Sequence, residues 1–283
     1  KFWTVHTEPV DEYIPRPDLN LWESLIFNVH KFISKRVNAF RFIFYKCDFI
    51  IVNSTQTFKS LLEIGVKHSK MIVIPMGVDT AMFRPRHILG DSERLFTVMD
   101  QPKLFCVASI LPRKGLMQFL QVFPAIVSKI PSLKLVVAGR VLDEKYFESL
   151  NNFIKDNGLE RYVILCGEKT DDFLIKMINE ADIYVQPSLR EGFCIPVLEA
   201  LSCGKKVVAT DTGIIREVLE ACDGGAVVNG YSDVEWVKKI KEVQDSIRKD
   251  PYYSDRLISY VESNYSWAIV AKKTELLYRS TQL

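Results

Sequence analysis

The chain has 283 residues, more than one ordinary domain needs and a little short of two full ones; 48% are hydrophobic and 11% aromatic, which excludes a disordered chain. Its 37 Lys and Arg nearly balance 35 Asp and Glu, for a net charge of +2, so a strongly basic nucleic-acid binder is excluded and no nucleic-acid partner is expected. No apolar run reaches the ~18 residues of a membrane span, and the six widely spaced cysteines (Cys47, Cys106, Cys166, Cys194, Cys203, Cys222) form no C-x-x-C, reading as buried free thiols of a reducing compartment.

In chain order, Phe2–Val5 reads as a strand, 22–46 as a helix, and Phe49–Val52 and Met71–Ile74 as two more strands. The opening Lys1-Phe-Trp-Thr-Val-His6 resembles the interior of a domain rather than a leader. Three strands are few for an independent α/β unit, so this part is expected to be incomplete. Residues 21–70 concentrate charge, with eight Lys and Arg against three acids. Within them, segment 23–46 interleaves Lys31, Lys35, Arg36, Arg41 and Lys46 with Phe27, Phe32, Phe40, Phe42 and Phe44. The composition favours a core-packed helix with a solvated basic side; the second reading is a peripheral face for anionic lipid. A polar connection is expected over residues 84–102.

Beyond it, short β-branched runs recur at Leu104–Ala108, Leu133–Ala138, Tyr162–Cys166, Ile183–Gln186, Lys206–Ala209 and Ala226–Val228. Helix-length segments separate most of them, as at Leu116–Lys129, Glu144–Asn157 and Asp172–Glu180. This alternation predicts a parallel sheet covered by helices on both faces. Three helices close the chain, over Ser232–Arg248, Tyr253–Asn264 and Trp267–Tyr278.

In such a sheet ligands bind in the loops after the strands. The loop after Ile183–Gln186 runs from Pro187 to Ala200 and places Pro196 at the first helical position, where an amide hydrogen has no use. The amides of Phe193, Cys194 and Ile195 then face a helix N-terminus suited to a phosphate. Glu191 precedes them in the loop, and Glu199 lies about one turn into the helix. A second loop, Ser109 to Gly115, sets Lys114 at a strand-to-helix turn, able to neutralise a diphosphate. A third, Thr210 to Glu217, follows the strand Lys206–Ala209.

Glu191 to Glu199 resembles the E-x7-E signature of the retaining, nucleotide-sugar-dependent glycosyltransferases of the GT-B fold, the group 1 enzymes of family GT4. Asn53-Ser54, the run Val73 to Phe83, Ala181 to Ser188, Glu199 to Gly204 and Ser266-Trp267 extend the resemblance over nearly the whole chain, in order. It implies two Rossmann-like, doubly wound α/β domains facing a cleft, the N-terminal one incomplete: residues 1–95 as the later part of the acceptor-side domain, 96–262 as the donor-binding domain, and 263–283 as a closing helix returning to the first.

The resemblance also implies roles. Glu191 would meet the donor sugar near the reacting carbon, Glu199 the ribose hydroxyls, and Lys114, helped by Arg113, the diphosphate. His6 would reach donor or acceptor sugar from the cleft. The family often has an arginine where this chain has Ser109, here a candidate phosphate contact. Gly139, Gly167, Gly192, Phe193, Cys194, Ile195 and Glu217 complete the expected donor site. The implied activity is hexosyl transfer from a UDP- or GDP-hexose to a sugar, glycolipid or lipid-linked hydroxyl. No cofactor or metal is expected, and no Asp-x-Asp occurs in the chain. The expected location is cytoplasmic, at most peripheral on the inner face of a membrane. Two alternatives stand beside it: a nucleotide-sugar 2-epimerase, and a non-catalytic nucleotide-sugar-binding remnant or regulatory subunit.

Overall fold

A computed structural model describes residues 46–86, 95–96 and 102–280, together with the backbone of 2–5. His6, the basic aromatic segment up to residue 45, and residues 87–94 and 97–101 of the expected connection lie outside the described residues.

Three parallel strands, β1 (Phe2–Val5), β2 (Phe49–Val52) and β3 (Met71–Val73), form a small sheet in the order β1-β2-β3. Helix α1 (Thr55–Glu63) joins β2 to β3. The side chain of Ser54 caps it by accepting the Thr57 amide, and Leu61 packs with Ile50, Val52 and Met71 beneath.

A second, six-stranded sheet follows. Its elements in chain order are β4 (Lys103–Val107), α2 (Leu116–Lys129), β5 (Lys134–Ala138), α3 (Glu144–Asp156), β6 (Val163–Leu165), α4 (Asp171–Glu180), β7 (Ile183–Gln186), α5 (Ile195–Ser202), β8 (Lys206–Thr210), α6 (Ile215–Cys222), β9 (Gly225–Val228), α7 (Asp233–Lys249), α8 (Tyr253–Tyr265) and α9 (Trp267–Ser280). The strands are all parallel, in the order β6-β5-β4-β7-β8-β9. Every residue of β7 and β8 is buried, which is why these runs are nearly continuously apolar rather than alternating.

Alternate strand residues feed two cores. Leu104, Cys106, Leu135, Val137, Ile183, Val185 and Val208 pack with α2, α3 and α7 through Phe119, Phe123, Leu150, Ile154 and Trp236. Phe105, Val136, Tyr184, Val207 and Ala209 face α4, α5, α6 and α8 through Ile175, Val197, Leu198, Val218 and Leu257. Fully burying one Leu or Phe contributes about 1.5–3 kcal/mol, so these two layers dominate the stability of the larger sheet. All six cysteines are free, and all but Cys166 are buried.

Described residues of the expected connection over 84–102 contact the larger unit. Phe96 is buried in the α4–α5 core, and Asn179 of α4 holds the Arg84 carbonyl and the Arg86 amide at 3.2 and 3.0 Å.

Strand order reverses between β4 and β7: the chain first builds outward through β5 and β6, then returns to add β7, β8 and β9 on the other side. At this switch point the loops leaving adjacent carboxyl ends run in opposite directions and open a crevice. The end of the chain returns to the small sheet. Val270 of α9 packs with Ile51 and Ile74, and the Val78 amide donates to the Tyr265 carbonyl at 2.8 Å. Gly77 makes this approach feasible, since a Cβ there would lie 2.5 Å from the Trp267 ring.

Candidate functional site

The crevice between β4 and β7 is built by two loops that hold each other. After β4, a single 3-10 turn (Pro112–Lys114) ends at Gly115 with φ +68°. A Cβ at Gly115 would overlap the Pro187 carbonyl oxygen, so only glycine permits this approach of the β4 loop to the β7 loop. The Tyr231 hydroxyl donates to that same oxygen at 2.6 Å, and the Leu189 amide donates to the Arg113 carbonyl at 2.9 Å.

Side chains from both loops meet inside. Lys114 Nζ lies 2.6 Å from Glu191 Oε1, with side-chain exposures of 11% and 6%. Ser188 Oγ donates to the same carboxylate oxygen at 2.6 Å, and Arg113 Nη1 lies 3.4 Å from Oε2. Behind them a buried relay supports Ser188: Tyr184 Oη donates to Gln186 Oε1 at 3.0 Å, and Gln186 Nε2 donates to Ser188 Oγ at 2.8 Å. The Glu191 carboxylate is therefore held by two cations and a hydroxyl, and a buried charge requires such partners. The sequence-expected Glu191, Lys114 and Arg113 come together. Ser188, Gln186 and Tyr184 were missed, although a glutamine ending a fully buried strand is itself a signal.

Next to Glu191, Gly192 offers its carbonyl to the small-sheet side, where Ser54 Oγ donates to it at 2.7 Å. Cys194 adopts φ +83° and ψ 65°, a left-handed conformation rare outside glycine, and serves as the N-cap of α5. Its carbonyl accepts the Val197 amide at 3.3 Å. The amides of Phe193, Cys194 and Ile195 donate to no protein group among the described residues. Unpaired amides at a helix start are the kind of arrangement that suits an anion. The helix begins at Ile195, so Pro196 is its second residue and not its first; a missing N–H is equally harmless there.

Glu199 sits half-buried one turn into α5. Burial, and secondarily the carboxylate of Asp171, raise its pKa from 4.5 to about 7. Ser109, Gly139 and Gly167 follow β4, β5 and β6 along the same carboxyl edge. The Gly139 amide donates to the Gly167 carbonyl at 2.9 Å, and a Cβ on Gly139 would overlap the Ala108 carbonyl oxygen. Gly167, with φ +69°, has open space above it. Glu217 is exposed on the first turn of α6 and bonds away from the Lys114–Glu191 pair, accepting from Thr55 Oγ1 at 3.3 Å across to α1. Burial raises the Cys106 thiol to about 12 and the Cys194 thiol well above its ordinary value, so neither is a thiolate at neutral pH. No helix among the described residues is long and apolar enough to cross a membrane.

The GPI3 subunit of the phosphatidylinositol N-acetylglucosaminyltransferase of Saccharomyces cerevisiae is 26% identical over 230 residues, covering 81% of this chain and 50% of that protein. The chain spans about half the length of the curated relatives it matches. Among solved structures, sucrose-phosphate synthase from Thermosynechococcus elongatus superposes with a TM-score of 0.74 at 20% identity, over 99% of this chain and 67% of that one. The Anabaena protein Alr3699/HepE, in complex with UDP and glucose, also superposes at 0.74, with 17% identity over 99% and 71% of the two chains. At these identities the structural likeness establishes the fold, the GT-B architecture expected from the sequence. The profile of the family described as "Glycosyl transferases group 1" matches residues 91–258, a span that includes the loops carrying Lys114, Glu191 and Glu199. The chain belongs to this glycosyltransferase family.

Proposed function

We propose that the chain carries the donor site of a retaining glycosyltransferase that moves a hexosyl group from a UDP- or GDP-hexose to a hydroxyl of a glycan, glycolipid or lipid-linked acceptor. The observation that carries this reading is the meeting, at one sheet switch point, of the buried Lys114–Glu191 pair and the unpaired amides of Phe193, Cys194 and Ile195. A Rossmann-like crevice offering a cation and a helix start suits a diphosphate.

In this reading Lys114 and those amides hold the diphosphate, with Arg113 at the rim. Breaking the glycosyl–phosphate bond develops negative charge on the leaving oxygen, and prearranged donors favour that transition state over the ground state. An ammonium has three donors, so Lys114 can keep Glu191 while contacting a phosphate. Glu191, fixed by Ser188 and Lys114, presents its carboxylate beside the donor sugar. Glu199 accepts from the ribose hydroxyls. Ser109, Gly139, Gly167 and Gly192 leave the backbone open to close approach. His6 serves the donor or acceptor sugar in the same reading. The leaving phosphate accepts the acceptor's proton on the departing face, which retains configuration, and no metal is required. The yeast relative's name includes an N-acetylglucosaminyl transfer and a phosphatidylinositol, which agrees with a lipid-linked acceptor, and the Anabaena structure contains UDP, which agrees with a nucleotide-sugar donor; the site is proposed to face the cytoplasm.

The test incubates the chain with UDP- and GDP-hexoses, with and without a panel of glycolipid and lipid-linked acceptors, and follows products by NMR. Transfer with retained anomeric configuration supports the reading. Altered donor sugar without any acceptor points to a 2-epimerase, and nucleotide binding without turnover to a non-catalytic binding role.

A further inference from the structure

The donor-site loop is held from outside its own sheet. Asn53, Ser54 and Thr57 belong to the small-sheet side, at the end of β2 and the start of α1, and are exposed by only 2, 1 and 0%. Ser54 Oγ donates to the Gly192 carbonyl at 2.7 Å while accepting the Thr57 amide at 3.0 Å. Thr57 Oγ1 lies 3.3 Å from the same carbonyl and 3.0 Å from Asn53 Oδ1. Gly192 sits between Glu191 and Phe193, whose amide begins the unpaired run. The other side of the loop is held within the larger sheet's unit, where the Phe193 carbonyl accepts the Ile214 amide at 3.2 Å. Gly213, at φ +59°, lets that turn approach, since a Cβ there would lie 2.5 Å from the Phe193 oxygen.

A single carbonyl that accepts from two buried hydroxyls of the other unit is more than surface complementarity requires. A buried carbonyl left unpaired is costly, so the loop is held best when these hydroxyls face it. From this geometry we propose that Ser54 and Thr57 are positioning residues: their hydroxyls latch the Gly192 carbonyl and thereby set Glu191 and the amides of Phe193, Cys194 and Ile195 in the conformation that receives a diphosphate. The small-sheet unit thus acts on the donor site through the backbone of one glycine, apart from any contact it makes with an acceptor. The consequence for transfer rests on the function proposed above, whereas the latch itself does not.

The test compares the wild-type chain with Ser54→Ala/Thr57→Val and with Ser54→Thr, which retains the hydroxyl. Hydrogen–deuterium exchange of the ligand-free chain reads the latch. In the double variant the bonded amides that hold this loop, those of Leu189, Arg190, Val197 and Ile214, are expected to exchange at least tenfold faster, with β7 and β8 unchanged and Ser54→Thr close to wild type. Transfer assays read the consequence: kcat in the double variant is expected to fall tenfold or more, since misplacement by about 1 Å costs up to a hundredfold, and Ser54→Thr is expected to restore it. Unchanged exchange at these four amides in a folded double variant overturns the latch. Uniformly faster exchange, including β7 and β8, also overturns it by assigning the hydroxyls a general structural role. Faster loop exchange with no transfer by the wild type supports the latch and counts against the transferase reading, so the two failures are distinct.

Discussion

Removing Lys114 tests whether the Lys114–Glu191 pair is a buried charge interaction rather than a surface one. Nζ and Oε1 are 2.6 Å apart, with side-chain exposures of 11% and 6%. Exposed pairs contribute about 0–1 kcal/mol. Breaking a buried pair by deleting one member costs about 3–5 kcal/mol, because the remaining charge stays in a poorly solvated place. Arg113 at 3.4 Å and Ser188 at 2.6 Å still serve Glu191 in a Lys114→Met variant, which places the loss near the lower end, about 3 kcal/mol. At about 2–4 °C per kcal/mol for chains of this size, Tm falls by roughly 6–12 °C. Adding Glu191→Gln removes the orphaned charge but leaves an acceptor for Ser188, so the double variant regains at least half of the loss. Differential scanning calorimetry at pH 7 reads all three chains. A Lys114→Met Tm within 1 °C of wild type, or a double variant less stable than Lys114→Met, refutes the reasoning.

Glu199 gives a pH prediction with opposite signs for stability and binding. Its folded pKa of about 7 exceeds the ordinary 4.5, so its stabilising contribution is present below about pH 4.5 and is lost as pH rises through about 7. Glu199→Gln should therefore gain Tm relative to wild type between pH 5 and pH 8. Under the proposed role of Glu199 as acceptor for ribose hydroxyls, nucleoside affinity should rise over the same range in wild type and stay flat in the variant when followed by calorimetric titration. Gly115→Ala forces a methyl into the Pro187 carbonyl at a positive φ; we expect a loss of about 2 kcal/mol or more in urea unfolding and weaker nucleotide binding. Trp236→Ala removes a fully buried ring packed 4.5 Å from Phe119; it should cost about 3–5 kcal/mol in urea unfolding.

What the residues disclosed follows the range over which each signal acts. Strands β4 to β9 were legible because burial on both sides demands apolar runs, and helices between them because their apolar faces repeat. Glu191 and Glu199 were legible because one loop and one helix turn carry them, so spacing alone sets their relation. Pro196 was displaced by one position, since proline suits either of the first two helical residues equally. Phe96 went unnoticed because a single aromatic among polar residues has no period. The Ser54 and Thr57 contacts with Gly192 cross 138 and 135 residues of sequence; Asn53-Ser54 entered the sequence reading only through the family resemblance, and no local signal gave their partner. Glu217 was expected near the sugar or diphosphate; in the ligand-free chain it accepts from Thr55 Oγ1.

The central claim is that Lys114 and the start of α5 form a diphosphate site. Isothermal titration of UDP and GDP into wild type and Lys114→Met, with the matching nucleosides as controls, addresses it most directly. Saturable binding of at least one diphosphate to wild type is expected, weakened tenfold or more by Lys114→Met, with nucleoside binding unchanged by the substitution. Equal diphosphate affinity in both chains contradicts it.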